Sequence, residues 1–522
     1  MLGRLAPRSP RSRTLAGLAL LLACGGGGEP TETTAGSDAS TDATSSATES
    51  ATESATESAT ESATESATES ATESATTSDD TTTSAPTSAG VSTDVPETSS
   101  ESGGSSGTSD SDGTTGDGLC PARAPSVELP RLRITKDELG VLVNLSDPQS
   151  VAVADYYVAA RGIPPENVVE LSFDVQNVMP EGVFTGVKAE VDAALGPEVQ
   201  ALALTWTRPY RVACMSATAA FALGFSDIYC NTSGMACGET ALVDYFDSDS
   251  TRPFDDHGLR PTMMLAAKDV ANAEALIDRG VSADGSFPGG DGYLVRTTDV
   301  ARSVRWPAFI STVNAWNYPD EGLALTYIDN SGGGGSNLVE DTENILFYFT
   351  GLANVGGITS NTYVPGGVAD HLTSFGGQVP DSGQMSVARW LEAGATASYG
   401  TVVEPCNYPT KFPDTTALLP RYYRGATVVE AYWKSVAWPG EGNFVGEPLA
   451  APWGHAPVVY EDCALTVETT ALRPFWSYAL EQADSPDGPW TAVLSDISVD
   501  NHKLASVVYE PVAAPYYRLV AQ

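Results

Sequence analysis

From about residue 125 onward, two kinds of apolar block alternate along the chain. One is a short continuous run, as in LGVLVNL (139–145), VQALALTW (199–206) and PTMMLAA (261–267), the pattern of a strand covered on both faces. The other repeats at helical spacing, as in SVAVADYYVAARG (150–162), FTGVKAEVDAALG (184–196) and DVANAEALIDRG (269–280). In the first of these Ser150 is the expected cap and Gly162 the stop. Further strands are expected at GYLVRTT, GLALTYID, NILFYFTG and GATASYGTVVEP, and helices at SVRWPAFISTVNAW, GQMSVARWLEAG, TTALLPRYYRG and TVVEAYWKSV. Strands separated by helices predict a mostly parallel sheet flanked by helices, an α/β fold built from βαβ crossovers.

After about residue 457 the pattern becomes strand-like throughout. VVYEDCALTVET, FWSYALEQA, PWTAVLS, LASVVYEP and PYYRLVAQ are separated by turn residues such as Ser-Pro-Asp-Gly, which predicts a small all-β module at 457–522. The α/β block is expected at 119–456.

The first 118 residues follow other rules. MLGRLAPRSPRSR carries four arginines and no acid, and TLAGLALLLA leads to Cys24. This is the charged region, short apolar core and small-residue cleavage site of an export signal, too short to span a bilayer. Leu21-Leu22-Ala23-Cys24 resembles a bacterial lipobox. It implies a signal peptide at 1–24, lipidation of Cys24 and anchoring to a membrane, and Gly25 points to the outer membrane or cell surface. Residues 25–118 contain 19 acids, no base and no aromatic, with seven consecutive ATES tetrads at 47–74. Such a segment cannot bury enough apolar surface to offset its ordering entropy, so a disordered acidic spacer is expected.

Of the formal net charge of −40, about −25 remains from residue 119 onward. That argues against nucleic-acid binding and leaves a protein or glycan as the expected kind of ligand. Sequence does not give an oligomeric state. Apart from Cys24 there are six cysteines, at 120, 214, 230, 237, 406 and 463, and an even count in an exported chain favours disulfides. A local bridge is expected among Cys214, Cys230 and Cys237, and Cys120 with Cys463 would staple the ends of the main block. Zinc does not fit the spacing, which has neither C-x₂-C nor H-x₃-H.

Candidate chemistry is sparse. Cysteine catalysis needs a thiolate beside an imidazole, and among the four histidines (257, 371, 455, 502) His371, next to Asp370, is the partner considered for Cys406. Cys406 itself reads as a nucleophile, half of a disulfide or a buried thiol. Thr396-Ala397-Ser398-Tyr399-Gly400 lacks the first glycine of a nucleophile elbow and runs on as a strand. The loop DYFDSDSTRPFDDHG (244–258) offers Asp247, Asp249, Asp255 and Asp256 as calcium ligands, without the spacing of an EF-hand; a solvated acidic loop is the plainer reading, and no other cofactor is indicated. SGGGGSN (331–337) is a flexible loop with no Lys-Ser/Thr of a phosphate cradle. Arg208, Tyr210 and Arg211 follow the C-terminal end of an expected parallel strand, where open α/β sheets bind ligands.

Two resemblances add to this. VADYYVAARGIPPENVVEL and GATASYGTVVEPCNYPTKFP, with LTWTRPYRVACMS and DRGVSADGS, resemble a family of exported bacterial proteins across about 125–455. More distantly, Arg161-Gly162-Ile163-Pro164, GATASYG (394–400) and GEP (446–448) resemble the gingipain-type cysteine peptidases, which implies a caspase-like fold. In that register Leu352 stands at the catalytic histidine and Ser374-Phe375 at the Ser-Cys nucleophile pair, so both catalytic residues of the peptidase are replaced. The final ALEQADSPDGPWTAV and YYRLV are similar to fibronectin-like modules. The expectation is therefore a surface-tethered lipoprotein whose caspase-like domain acts in binding or envelope organisation, the alternative being a peptidase-like hydrolase using Cys406 or Ser374 with His371.

Overall fold

Asp147, not Ser150, starts the first helix. Its carboxylate accepts from Gln149 N at 3.0 Å, Pro148 sits where no N–H is needed, and Gly162 closes Pro148–Arg161 at φ 63°, a left-handed stop that costs glycine little. Ser150 lies buried within the helix. Its hydroxyl accepts from Asn144 N at 2.9 Å and meets the Thr205 hydroxyl at 2.8 Å, so it pins the helix start to the ends of two strands.

The computed structural model describes residues 121, 123–231, 237–500 and 503–522. The readings on Cys24, the signal, the acidic spacer, Cys120 and His502 lie outside the described residues. After β1 (Ser126–Glu128), the first half of the main sheet takes β2 (Leu139–Asn144), β3 (Val168–Leu171), β5 (Ala201–Leu204) and β8 (Thr262–Met264). The short strands β4 (Val178–Met179), β6 (Arg211–Val212) and β7 (Met215–Ser216) form a small separate sheet. The second half takes β9 (Gly290–Arg296), β10 (Leu323–Asp329), β11 (Ile345–Thr350), β12 (Tyr363–His371) and β13 (Ala397–Thr401), and β14 (Gly442–Gly446) returns to the first.

The ten strands lie in the order β10-β9-β11-β12-β13-β14-β8-β5-β2-β3. Every described pairing in this sheet is parallel except β13 with β14. The sheet is thus two five-stranded parallel halves joined at one antiparallel seam, and the C-terminal ends of the two halves point to opposite edges. β2, β5, β11 and β13 are buried along their whole length, as continuous apolar runs require when helices cover both faces. Gly377 and Gly400 allow the loop after β12 to lie directly on β13, since a Cβ on Gly377 would come within 2.0 Å of Gly400 O.

The last strands are β15 (Val459–Glu461), β16 (Ala464–Thr469), β17 (Tyr478–Ala483), β18 (Thr491–Ile497), β19 (Ala505–Tyr509) and β20 (Tyr516–Ala521). They form the sheets β15-β16-β19 and β1-β20-β17-β18. β1 pairs parallel with β20 and Val127 packs on the apolar cluster around Tyr517 and Leu519. Ser126–Glu128, expected with the α/β block, therefore joins the C-terminal sheet, because one inward valine in a polar run suits a sheet edge.

Buried ion pairs tie distant parts of the α/β block. Arg161 grips Glu447 with two bonds, Nε to Oε1 at 2.9 Å and Nη2 to Oε2 at 2.5 Å, and also meets Asp284. The Tyr157 hydroxyl donates to the same Glu447 at 2.8 Å. Lys411–Glu441 and Arg305–Asp370 each close at 2.7 Å. Gly280 makes room for Glu447, whose Cγ would lie 2.4 Å from a Cβ there.

Removing one partner of such a pair strands the other charge in the core. Glu447→Ala is expected to lower unfolding free energy by about 3–5 kcal/mol and Gly280→Ala by about 1–3 kcal/mol through overpacking. Urea denaturation of both variants beside the parent chain checks the order and size.

Candidate functional site

The C-terminal ends of β11 and β12 carry the positions that the peptidase register singles out. β12 ends on His371, which is fully buried. Its Nδ1 accepts from Trp390 Nε1 at 2.9 Å and its Nε2 donates to Met385 O at 3.1 Å, so both ring nitrogens of the neutral imidazole are in use. Burial, aided by the charges of Arg305 and Arg302 and opposed by the Met385 carbonyl, pulls this imidazole down to about 3. A general base must hold a free lone pair toward its nucleophile and titrate near working pH; His371 does neither. Asp370 beside it is buried against Arg305, and burial raises its carboxyl.

A strap over this edge explains the occupancy. Met385 N donates to Ala353 O at 2.9 Å and Val387 N to Gly376 O at 2.8 Å, so residues 385–387 run across the loops that follow β11 and β12. Leu352 packs partly buried against the cluster around Tyr348 and Trp390. Ser374 is half-buried; its N–H donates to Gln384 Oε1 at 3.0 Å and its carbonyl accepts from Thr401 Oγ1 at 2.9 Å. Cys406 is bonded to Cys237, which removes it as a free nucleophile in this form. Cys214 is bonded to Cys230, and Cys463 is also disulfide-bonded. Ser398 lies buried within β13, as an ordinary strand serine does.

The loop after β5 does not gather Arg208, Tyr210 and Arg211 into a site. Arg208 is exposed, Tyr210 is buried in the core, and Arg211 sits in β6 with its Nε buried and unpartnered. Asn443 of β14 ties this loop to the other half of the sheet, donating to Tyr210 O at 2.7 Å and to Gly377 O at 3.0 Å. Among the described residues no group of three or more His, Cys, Asp or Glu side chains is arranged to hold a metal ion. The four aspartates read as calcium ligands have separate partners: Asp247 pairs with Arg421, Asp249 with Arg473 and Asp255 with Arg252, while Asp256 accepts from Ser250 Oγ. Arg473 outweighs burial and holds Asp249 below its ordinary range.

Those arginines point to a feature that sequence reading missed. Between the α/β block and the last strands lies a cleft of about 520 Å³ whose walls include Arg131, Arg421, Arg424, Lys434, Arg473 and Arg518. Six of the chain's 27 lysines and arginines meet there, in a protein of net charge −40. His455 fixes one wall by hydrogen bonds to Thr469 Oγ1 at 2.8 Å and Pro130 O at 2.9 Å. Arg131 reaches across to Thr251 O at 3.0 Å. The one signal in the sequence is RYYRG (421–425), which places Arg421 and Arg424 on one helix face; Lys434, Arg473 and Arg518 come from separate later elements and Arg131 from the far end of the α/β block.

No family model and no curated protein matches the chain. A solved structure described as "Structure of Protease" aligns with 11% identity and a TM-score of 0.38, covering 75% of this chain and 98% of that chain. At that score the likeness bears on neither mechanism nor site.

The buried imidazole has a stability signature. His371 is held near 3 when folded against an ordinary 6.5, so below about pH 6.5 the unfolded chain takes up a proton that the folded chain refuses. Its contribution to stability is complete above that pH and is lost as pH falls toward 3. Between pH 6 and 4 the parent is expected to lose up to about 1.4 kcal/mol per pH unit more than His371→Gln, read as the difference in urea midpoints across that range.

Proposed function

We propose that this protein is an exported, lipid-anchored binding protein, in which a caspase-like α/β frame has no nucleophile–base pair and the cationic cleft is the ligand site. The observation that carries this reading is the state of His371, the histidine considered as the base for Cys406 or Ser374, which is buried with both ring nitrogens hydrogen-bonded. The bond between Cys406 and Cys237 supports it, and disulfides suit an oxidising compartment outside the cytoplasm. The lipobox-like Leu21-Leu22-Ala23-Cys24 supports attachment to the outer membrane or cell surface. On this reading the acidic segment 25–118 is the spacer between the lipid and the cleft.

The reading is tested on the full chain, unreduced, with a fluorophosphonate probe, a haloacetamide probe and a mixed fluorogenic peptide library. The expected result is no peptide turnover, no fluorophosphonate labelling of Ser374 and no alkylation of Cys406 until a reductant is added. Labelling of Ser374 or Cys406 in the unreduced protein, lost in His371→Gln, would establish a hydrolase instead.

A further inference from the structure

Four of the six cations in the cleft already have a carboxylate. Arg131 pairs with Glu138 at 2.8 Å, Arg421 with Asp247 at 2.7 Å, Arg473 with Asp249 at 2.6 Å and Arg518 with Glu481 at 2.6 Å. Arg424 and Lys434 have no ion pair and no side-chain hydrogen bond among the described residues. Lys434 is only 3% exposed yet lines the cleft, with the Tyr245 ring 5.2 Å from its Nζ. Glu430, four residues earlier, acts on it only at longer range: Oε2 accepts from Ile134 N, Thr427 N and Thr427 Oγ1, while Oε1 is buried without a hydrogen bond. An almost fully buried ammonium with no carboxylate in ion-pair contact is costly unless something else helps to neutralise it.

We propose that the cleft binds a phosphoryl group in its dianionic state, held between Arg424 and Lys434 and rimmed by the paired arginines. This rests on the reading of the cleft as the ligand site. A phosphate monoester carries about −1.5 to −2 at neutral pH with three acceptor oxygens. It therefore offers oxygens to both cations that lack an ion pair, where a single carboxylate offers fewer oxygens and less charge. A guanidinium fork and a point-charge ammonium are the two side chains suited to such oxygens. Burial pulls the Lys434 ammonium down to about 8, with Glu430 opposing and Arg421 assisting. It brings the Arg424 guanidinium to about 10, with Arg473 and Arg421 adding repulsion. An anion between the two relieves both. Phe475 is fully exposed and Trp476, on the cleft wall, half-exposed, so the phosphoryl group could be free or belong to a lipid headgroup.

Calorimetry of the full chain with inorganic phosphate at pH 7.5, ionic strength matched with sodium chloride, is the test. One site per chain is expected, weakened at least tenfold by Arg424→Gln and by Lys434→Gln and unchanged by Lys188→Gln on a distant helix. Thermal melting verifies that each variant folds; should Lys434→Gln fail to fold, Arg424→Gln decides. If free phosphate gives no heat, retention on vesicles of phosphatidic acid but not phosphatidylcholine, lost in Arg424→Gln, assigns the group to a lipid. The proposal is overturned if neither probe binds, if binding vanishes in matched chloride, or if Arg424→Gln binds within twofold of the parent. Probe labelling of Ser374 or Cys406 on the same sample would sink the non-catalytic reading without altering this result, so the two failures are separable.

Discussion

The α/β block is organised around one carboxylate. Glu447, fully buried just past the end of β14, receives two bonds from Arg161 and one from Tyr157, and so fixes the first helix to the strand that closes the seam. Arg161 extends the link to Asp284, whose other oxygen accepts from Ala451 N, which brings in the helix Val270–Ala283. A buried charge is tolerated only when each of its lone pairs is met. This arrangement therefore works as a registry device: only one docking of helix on sheet satisfies Arg161, Tyr157 and Glu447 together, and it needs a glycine at 280 to admit the side chain. Arg161 and Glu447 also belong to the RGIP and GEP segments of the resemblance, so two motifs 286 residues apart in sequence are halves of one contact.

The antiparallel seam has a consequence for where chemistry can occur. The two parallel halves direct their strand ends to opposite edges, and the edge that ends β11 and β12 is closed by the strap through Met385 and packed by Leu352 and Trp390. His371 there has both ring nitrogens hydrogen-bonded and Asp370 is paired with Arg305, while Thr350 Oγ1 is buried without a hydrogen bond. The cationic cleft is the opposite case. Its paired arginines are pre-oriented by Asp247, Asp249, Glu138 and Glu481, whereas Arg424 and Lys434 have no ion pair among the described residues.

Much of the fold was legible in the sequence. Continuous apolar runs marked β2, β5, β8 and β11, because strands covered on both faces cannot alternate, and helical periodicity marked Pro148–Arg161 and Val270–Ala283. The cap of the first helix was misplaced, since Ser150 and Asp147 have the same local chemistry and only contact with Asn144 and Thr205 distinguishes them. β14, with its two glycines, gave little strand signal; its position is set by the register with β13. Of the candidate site residues, His371 stood out for its chemistry and its neighbour Asp370, but its burial and its two hydrogen bonds depend on Trp390 and Met385, which no local pattern links to it. The aspartates of the 244–258 loop carried a signal whose partners, Arg421 and Arg473, lie in other elements.

Sequence alone determined the alternation of strands and helices, the strand-like character of the last residues and the charge balance, because each depends on neighbours a few positions apart. The pairing of Cys214 with Cys230 and of Cys237 with Cys406, the antiparallel join between the two half-sheets, the state of His371 and the gathering of six cations in one cleft were decided by tertiary structure. Each of these is a contact between residues far apart in the chain. Its energy depends on burial and on who else is present, and both exist only once the chain has folded.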